Sequence, residues 1–421
     1  MAFGMRAKAS VVSRVGGAVL LCLVAGCTGA GSGTSSAAGR AGGCDSPGVT
    51  ANSIKVGLIY PDTGGMGPTF ATARGGFEAR IDLANAQGGI NGRQVQVVWG
   101  DDQGDPSINL VTARDLVQGS GVFALSELTT AASGSAAYLS SAGVPVAGLA
   151  VEPVWSQYDN MFSTSYEVAE EGSVSTYGRF VAAKGGTKAV VVEASNSPAS
   201  RATTNGIIQS LTGAGVQVVA RLSYTVGVTS LTQLASAIAA SKADVLVGQL
   251  GGTNLVDVLG ATRQAGLTFK IVVSDTVYDS ALLARDGAKL AGVTTYIAYL
   301  PFESTAPALT TFRDAIRRFS PEIDNPDQSV VVGAYGEADL LLRGLEVAGA
   351  CPTRAGFITN LRNVHDFTAA GIIPAGVDLS TNRGLPSVCQ TFLTVNAQGT
   401  AFQIDKAPNG DEEWCGTRIG A

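Results

Sequence analysis

One histidine, His365, stands in a chain of 421 residues. A Ser-His-Asp triad would have to use it, yet it lies after a helical stretch in Asn363-Val364-His365-Asp366, and no Gly-x-Ser-x-Gly elbow occurs in the sequence. The strand ends carry no carboxylate pair that would force acid–base catalysis. A lone His and widely spaced cysteines also argue against zinc. An enzyme, a cofactor and a metal are therefore not expected. Charge is sparse as well: Asp, Glu, Lys and Arg make up 15% of residues, and mean hydropathy is +0.23. Those values fit a large packed interior rather than a disordered chain. The chain has no Lys/Arg cluster beyond its first residues, which excludes nucleic acid as an expected partner. After the N-terminal apolar run none reaches a spanning length without polar interruption, so no transmembrane helix is expected.

What is present begins at the N-terminus. Arg6, Lys8 and Arg14 flank a run from Val15 to Ala25 that is too short to span a bilayer and reads as a cleaved export signal. The residues Val24-Ala25-Gly26-Cys27 resemble the lipobox of bacterial lipoproteins, which implies that residues 1–26 are removed and that Cys27 carries the lipid. An ordinary secretory signal ending near a cysteine is the competing reading. The Gly/Ala/Ser/Thr-rich tail of residues 28–43 favours the lipoprotein, because such a stretch buries no apolar area and serves as a tether. Residues 27–51 are accordingly read as a lipidated flexible linker on a protein held outside the cytoplasmic membrane. The 28 Lys+Arg, less the three in the leader, leave 25 against 34 Asp+Glu, a net charge of −9.

Four cysteines then remain in an oxidising compartment: Cys44, Cys351, Cys389 and Cys415. Three pairings are possible. Cys351–Cys389, with Cys44–Cys415 stapling the chain ends, is the expected one.

From Ile54 about 370 residues remain, enough for two lobes rather than one small core. Ile54–Tyr60 is β-rich and ends in Pro61-Asp62-Thr63-Gly64-Gly65; a helical pattern over 69–86 follows and stops at Gln87-Gly88-Gly89. Val95–Trp99 reads as a strand, and Asp105-Pro106 as the N-cap and first residue of a helix. Strands recur near residues 122, 144, 189, 216, 245, 271 and 293, separated by helical patterns such as 200–212, 231–240 and 254–264. Alternating β and α segments with apolar, β-branched strands predict parallel sheets covered on both faces. Three helices (306–319, 329–348 and 354–361) and two short strands close the chain.

Several blocks resemble the type I periplasmic-binding-protein family, in the branch of leucine/isoleucine/valine-binding proteins of ABC importers. They are Ile54-Lys55-Val56-Gly57, then Ala84-Asn85-Ala86-Gln87-Gly88-Gly89-Ile90-Asn91-Gly92, then Trp99 to Pro106, and later Arg263-Gln264-Ala265-Gly266-Leu267. The resemblance covers most of residues 52–405. It implies an α/β, two-lobed periplasmic-binding-protein-like fold of type I, each lobe a parallel sheet flanked by helices, with three hinge crossovers near 163–166, 299–302 and 369–374. Lobe 1 would be 52–164 plus 299–370, and lobe 2 would be 165–298 plus 371–421.

Ligands of open α/β sheets sit beyond the C-terminal strand ends. After the strand at 122–126 comes Glu127-Leu128-Thr129-Thr130-Ala131-Ala132-Ser133, whose free N–H groups and Thr130 hydroxyl are placed to hold a carboxylate. The family has a hydroxyl residue there, so the resemblance marks Thr129 and Thr130 as ligand-binding; a plain helix cap is the alternative. Leu149 and Val151 follow the next strand, with Val151 where amino-acid-binding members carry a Thr. Asp275 stands at the family's position for the acid that pairs with a ligand ammonium, and equally suits a cap. The family's tyrosines on this lobe are unmatched: Pro198 and Gly251 stand there, with Asn196 and Gln249 as polar substitutes nearby. Phe70 and Tyr166 are cleft candidates, with core burial the commoner fate of such residues. Asp101 and Asp102 are expected to support structure.

The expected function is an extracytoplasmic solute-binding lipoprotein that captures a small polar or amphipathic ligand, an amino acid or amino-acid-like compound, and delivers it to an ABC-type permease. The altered Thr and Tyr positions argue against a free branched-chain amino acid. A ligand-sensing lipoprotein with the same clamp, signalling to a membrane partner, is the alternative. Expected partners are the ligand, the permease subunits and, through the lipid, the membrane.

Overall fold

The computed structural model describes residues 44–168, 172–195 and 197–420. The leader, Cys27 and Asn196 lie outside the described residues.

Lobe 1 is built on a five-stranded parallel sheet: β1 (Ser53–Tyr60), β2 (Gln94–Asp101), β3 (Ala124–Glu127), β4 (Val146–Gly148) and β5 (Met161–Phe162), in the order β2-β1-β3-β4-β5. Nearly every residue of β1 is buried, as both faces of a parallel sheet are covered. On one face Val56, Leu58 and Phe123 pack with Phe77 and Ile81 of the helix Ala73–Ala86, Leu341 and Leu345 of the helix Ser329–Val347, and Phe357. On the other, Ile59, Leu125 and Val146 pack with Leu116, Leu139 and Trp155. A Cβ on Gly76 would lie 2.6 Å from the Val331 carbonyl oxygen, so this glycine lets the two long helices touch.

The motif blocks are turn chemistry. Ile90-Asn91-Gly92-Arg93 is a tight reversal with positive φ at Asn91 (50°) and Gly92 (77°), closed by the Ile90–Arg93 bridge. Asp101 Oδ1 accepts the N–H groups of Asp62 (3.0 Å) and Gln103 (2.8 Å), which ties the loop after β1 to the end of β2. Asp105 caps the helix Pro106–Arg114 by accepting from Ser107 and Ile108.

Lobe 2 carries the larger sheet. β6 (Ser173–Val174) lies outside it and pairs with β15 (Arg418–Ile419). β7 (Lys188–Ala194), β8 (Gln217–Tyr224), β9 (Val245–Gln249), β10 (Ile271–Val273) and β11 (Val293–Ile297) run parallel in the order β8-β7-β9-β10-β11. β12 (Cys389–Val395) and β13 (Phe402–Ile404) extend the edge antiparallel, and β14 (Glu413–Cys415) pairs β12. The second sheet is thus mixed at one edge. Helices 231–241, 252–264 and 280–290 cover one face, and helices 176–183 and 198–213 the other.

Two sequence expectations are corrected here. The disulfides are Cys44–Cys351 and Cys389–Cys415, with Cα separations of 5.1 and 4.0 Å. Cys389 and Cys415 are register partners on neighbouring antiparallel strands, so each bridge stays within one lobe and neither Cys351–Cys389 nor Cys44–Cys415 forms. The third crossing also lies later than 369–374. Leu379 is fully buried in the first lobe's core, and its N–H donates to the Val364 carbonyl. The chain therefore passes between lobes over residues 380–388.

Glu337 anchors the first crossing. This residue of the Ser329–Val347 helix is 1% exposed. Its Oε1 accepts from the Thr164 N–H (3.0 Å), the Thr164 hydroxyl (2.8 Å) and the Ser163 hydroxyl (3.2 Å). Burial outweighs those three donors and pushes its carboxyl up to about 8.

Candidate ligand cleft

Both sheets end their parallel strands toward the crossings, and the order reverses between β1 and β3 in lobe 1 and between β7 and β9 in lobe 2. Those switch points put the cleft between the loops after β1 and β3 of lobe 1 and those after β7 and β9 of lobe 2. The lobes touch across it: a Cβ built on Gly251, after β9, would stand 3.4 Å from the Thr69 hydroxyl.

On the lobe 1 side, Thr129 is fully buried and turned inward, where its hydroxyl accepts the Ala131 N–H at 3.2 Å. Thr130 is half-buried, lies beside Gly104, and makes no hydrogen bond among the described residues. Leu149 and Val151 are half-buried at the end of β4. The expectation of free N–H groups on the 129–133 loop holds for Thr130, whose N–H has no acceptor among the described residues, and not for the residues after it. Ala131 is taken by Thr129, and the Gly134 and Ser135 N–H groups donate to the Ala131 and Ala132 carbonyls. Ser133 donates its N–H (3.2 Å) and its hydroxyl (2.7 Å) to Glu152. A resident carboxylate already takes the Ser133 donors, and Thr130 keeps its own.

Beneath the loop lies a buried acid network. Asp102 accepts from the Gly104 N–H (3.0 Å) and from Asn109 Nδ2 (3.1 Å). Glu127, fully buried, accepts from the Ser135 hydroxyl at 2.6 Å, and burial with help from Asp102 and Glu152 pushes it up to about 8. Burial thus favours its neutral form. Its Oε2 and the Asn109 Oδ1 are both buried without a partner among the described residues. Burial also raises Asp102 and Glu152.

The lobe 2 side gathers residues from five places in the chain. Asp275 follows β10; its Oδ1 is buried without a partner among the described residues, and burial pushes the carboxyl up to about 6. Glu167 sits just past the first crossing, where its N–H donates to the Ala150 carbonyl of lobe 1 at 3.0 Å. Its side chain keeps solvent contact, yet the surrounding protein and then Asp275 push it up to about 7. The rings of Tyr177 and Tyr296 lie 4.7 Å apart, and both hydroxyls are raised, first by burial and then by the Glu167 and Asp275 charges. Gln249, 4% exposed at the end of β9, lies against Tyr296 with its Nε2 unpartnered. A cavity of about 180 Å³ opens beside Glu167 and Tyr177, walled by Pro153 of lobe 1 and by Thr203, Asn205 and Pro386.

Phe70 and Tyr166 are core residues, 5% and 2% exposed, packed in the two halves of the lobe 1 interior. Tyr166 also borders a cavity at the crossings, with Ser165 and Tyr299. Glu167, Tyr177 and Tyr296 were missed by sequence reasoning. For Glu167 its place one residue past the first crossing was the available signal; Tyr177 lies within the 176–183 helix and Tyr296 within β11, where nothing in the sequence marks them.

Residues 53–400 match the profile of the family described as periplasmic binding protein. Over 309 residues the chain is 25% identical to the leucine-, isoleucine-, valine-, threonine-, and alanine-binding protein of Pseudomonas aeruginosa, covering 72% of this chain and 80% of that one. A 69-residue stretch is 41% identical to the Leu/Ile/Val-binding protein homolog 2 of Brucella abortus, and there the match spans 16% of this chain and 18% of the relative's length. The fold is similar to the branched-chain amino acid transporter substrate binding protein of Streptococcus pneumoniae solved with isoleucine, at a TM-score of 0.70 and 18% identity, covering 85% of this chain and all (100%) of that one. Among the described residues no helix is long and apolar enough to cross a membrane. With most of its length matched by one family and the two-lobed α/β clamp in place, the chain belongs to the periplasmic binding proteins, an extracytoplasmic family whose fold is that of substrate-binding proteins and not of enzymes.

Proposed function

We propose that this protein captures a small amine-bearing ligand, an amino acid or amino-acid-like compound, between its lobes and delivers it to an ABC-type permease. The observation that carries the reading is Asp275: an acid just past the end of β10, with a buried oxygen that no donor among the described residues satisfies. A buried acceptor without a partner costs free energy that a ligand N–H recovers on binding. Thr130, on the opposite face, offers an unused hydroxyl to the ligand's other end. Contact with both lobes makes the closed form the one the ligand favours, and the closed form is what a permease would recognise. Relatives named for binding leucine, isoleucine and valine support the same reading. Cys27 is proposed as the lipid anchor on its lipobox-like surroundings.

A thermal-shift screen of amino acids, amides, amines, aromatic acids, polyols and sugars, followed by calorimetry on each hit, tests the proposal. A hit that Asp275→Asn weakens at least tenfold supports it, and a hit indifferent to that change refutes the placement. For the anchor, Cys27→Ser should move the protein from the membrane fraction to the soluble one.

A further inference from the structure

We infer that the lobes share a non-covalent link besides the three crossings: a main-chain clasp between residues 278–280 of lobe 2 and 327–329 of lobe 1. It holds the ligand-free protein shut and positions the loop that carries Asp275. It rests on capture between the lobes and on nothing about the ligand's chemistry.

The clasp is antiparallel backbone pairing across the lobe boundary. Asp279 and Gln328 are bridge partners. The Ser280 N–H donates to the Asp327 carbonyl at 2.9 Å, and the Ser329 N–H to the Tyr278 carbonyl at 3.2 Å. The Ser329 hydroxyl donates to that same carbonyl at 2.8 Å. Residues 278–280 lead from β10 into the helix Ser280–Leu290 and so move with lobe 2. Ser329 opens the helix Ser329–Val347, so residues 327–329 move with lobe 1. A separation of the two segments by about 1 Å would break all three bonds.

The link runs on into the second crossing. Tyr278 is fully buried and stacks on Phe302, with ring centroids 4.6 Å apart and planes 7° from parallel. Its hydroxyl accepts the Phe302 N–H (2.6 Å) and donates to Glu303 (2.6 Å). Arg313 donates to the Phe302 carbonyl at 2.6 Å and grips the Asp327 carboxylate through two nitrogens, at 2.8 and 2.9 Å. That bidentate pair fixes the stretch whose carbonyl receives Ser280. Tyr299, also of the crossing, donates its hydroxyl to Ser329 at 2.9 Å. Tyr278 is thus fastened to lobe 1 through its carbonyl and to the crossing through its ring and hydroxyl. Opening needs both sets of contacts to yield together.

The same loop bears Asp275, three residues before Tyr278. Next to Asp275, the Thr276 hydroxyl donates to the Leu250 carbonyl of lobe 2 at 2.5 Å. Asp275 therefore stands on a short span held to lobe 2 on one side and to lobe 1 on the other. Tyr278 and Ser329 are positioning residues that act through it.

Ser280→Pro tests the clasp in the purified, ligand-free protein. Ser280 is the first residue of its helix, and the Asp279 cap before it is extended (φ −146°, ψ 116°), so proline suits both positions. Proline removes the N–H and puts a ring carbon in the way of the Asp327 carbonyl. Ser280→Ala keeps the N–H and is the control. Small-angle X-ray scattering should fit the closed lobes for the wild type and Ser280→Ala, and give a larger radius of gyration for Ser280→Pro. The Ser329 amide hydrogen should exchange about tenfold faster in Ser280→Pro than in the control. Ser329→Ala, which loses only the hydroxyl's two bonds, should shift the scattering the same way by less, and it decides the matter if proline prevents folding. An open ligand-free wild type overturns the clasp. So do Ser280→Pro and Ser329→Ala proteins that scatter and exchange as the wild type does. Either result leaves capture between the lobes standing, because the thermal-shift screen reads capture separately.

Discussion

Replacing Glu337 by Gln should change how stability depends on pH, and the size of the change follows from the structure. Glu337 is 1% exposed, takes three hydrogen bonds on one oxygen, and leaves Oε2 buried without a partner. Burial raises its carboxyl from 4.5 to about 8, and no charged neighbour is among the causes. The folded state thus binds a proton that the unfolded chain releases above its own lower value. Stability from this group is complete below pH about 4.5 and is lost as pH rises toward 8, with a limiting slope of about −1.4 kcal/mol per pH unit. Over the whole interval this comes to roughly 5 kcal/mol as an upper value. Gln keeps an acceptor for Thr164 and Ser163 but cannot ionise. Urea unfolding at pH 5, 6, 7, 8 and 9 should therefore give wild-type and Glu337→Gln curves that diverge steadily, the variant gaining relative stability up to pH 8 and no more beyond it. Glu127, which titrates in the same range, is common to both proteins and cancels in the difference. Parallel curves would refute a neutral, buried Glu337 and, with it, the way the first crossing is pinned to lobe 1.

Other expectations follow from the same geometry. Thr130→Ala should weaken ligand binding at least tenfold by calorimetry, since this hydroxyl is the half-buried one of the Thr129–Thr130 pair; unchanged affinity would place the ligand elsewhere. Glu127→Gln should cost little stability at pH 7, because an amide replaces an acid whose neutral form burial favours, whereas Glu127→Ala should cost about 2 kcal/mol or more through the Ser135 hydroxyl left unpaired. Replacing both Cys389 and Cys415 by Ser should lower stability by about 3.5 kcal/mol in the loop-closure picture for a separation of 26 residues. Denaturation of that double variant should leave the Cys44–Cys351 bridge intact by mass analysis, and a mixed bridge would contradict the pairing.

Much of the architecture is legible in the amino-acid sequence. The strands at β1, β2, β7 and β9 and the helices 231–241, 307–319 and 354–361 fall within a few residues of where apolar patterning puts them, because period and capping are local properties. The Asp105 cap and the Ile90–Arg93 reversal are set by residues three positions apart or fewer. The short pairs β6–β15 and β12–β14 are not legible, since two- and three-residue strands carry no periodicity. The candidate site is half visible. Asp275 and Thr130 stand at strand ends the pattern reveals; Glu167, Tyr177 and Tyr296 do not announce themselves.

Local patterning along the chain thus settles the alternation of β and α and the turns that carry the family resemblance. Three other matters are settled only in the folded molecule. Cysteine pairing depends on which strand edges adjoin, and Cys389 finds Cys415 across a ladder. The fate of Phe70 and Tyr166 depends on the volume available in a lobe's interior, which takes both into the core. The charge of the cleft depends on residues from 152 to 296 meeting at the ends of two sheets, where Glu152 takes the Ser133 donors and the Asp275 charge acts on Glu167. Distances of that kind are set by the packing of whole lobes, and no local pattern along the chain encodes them.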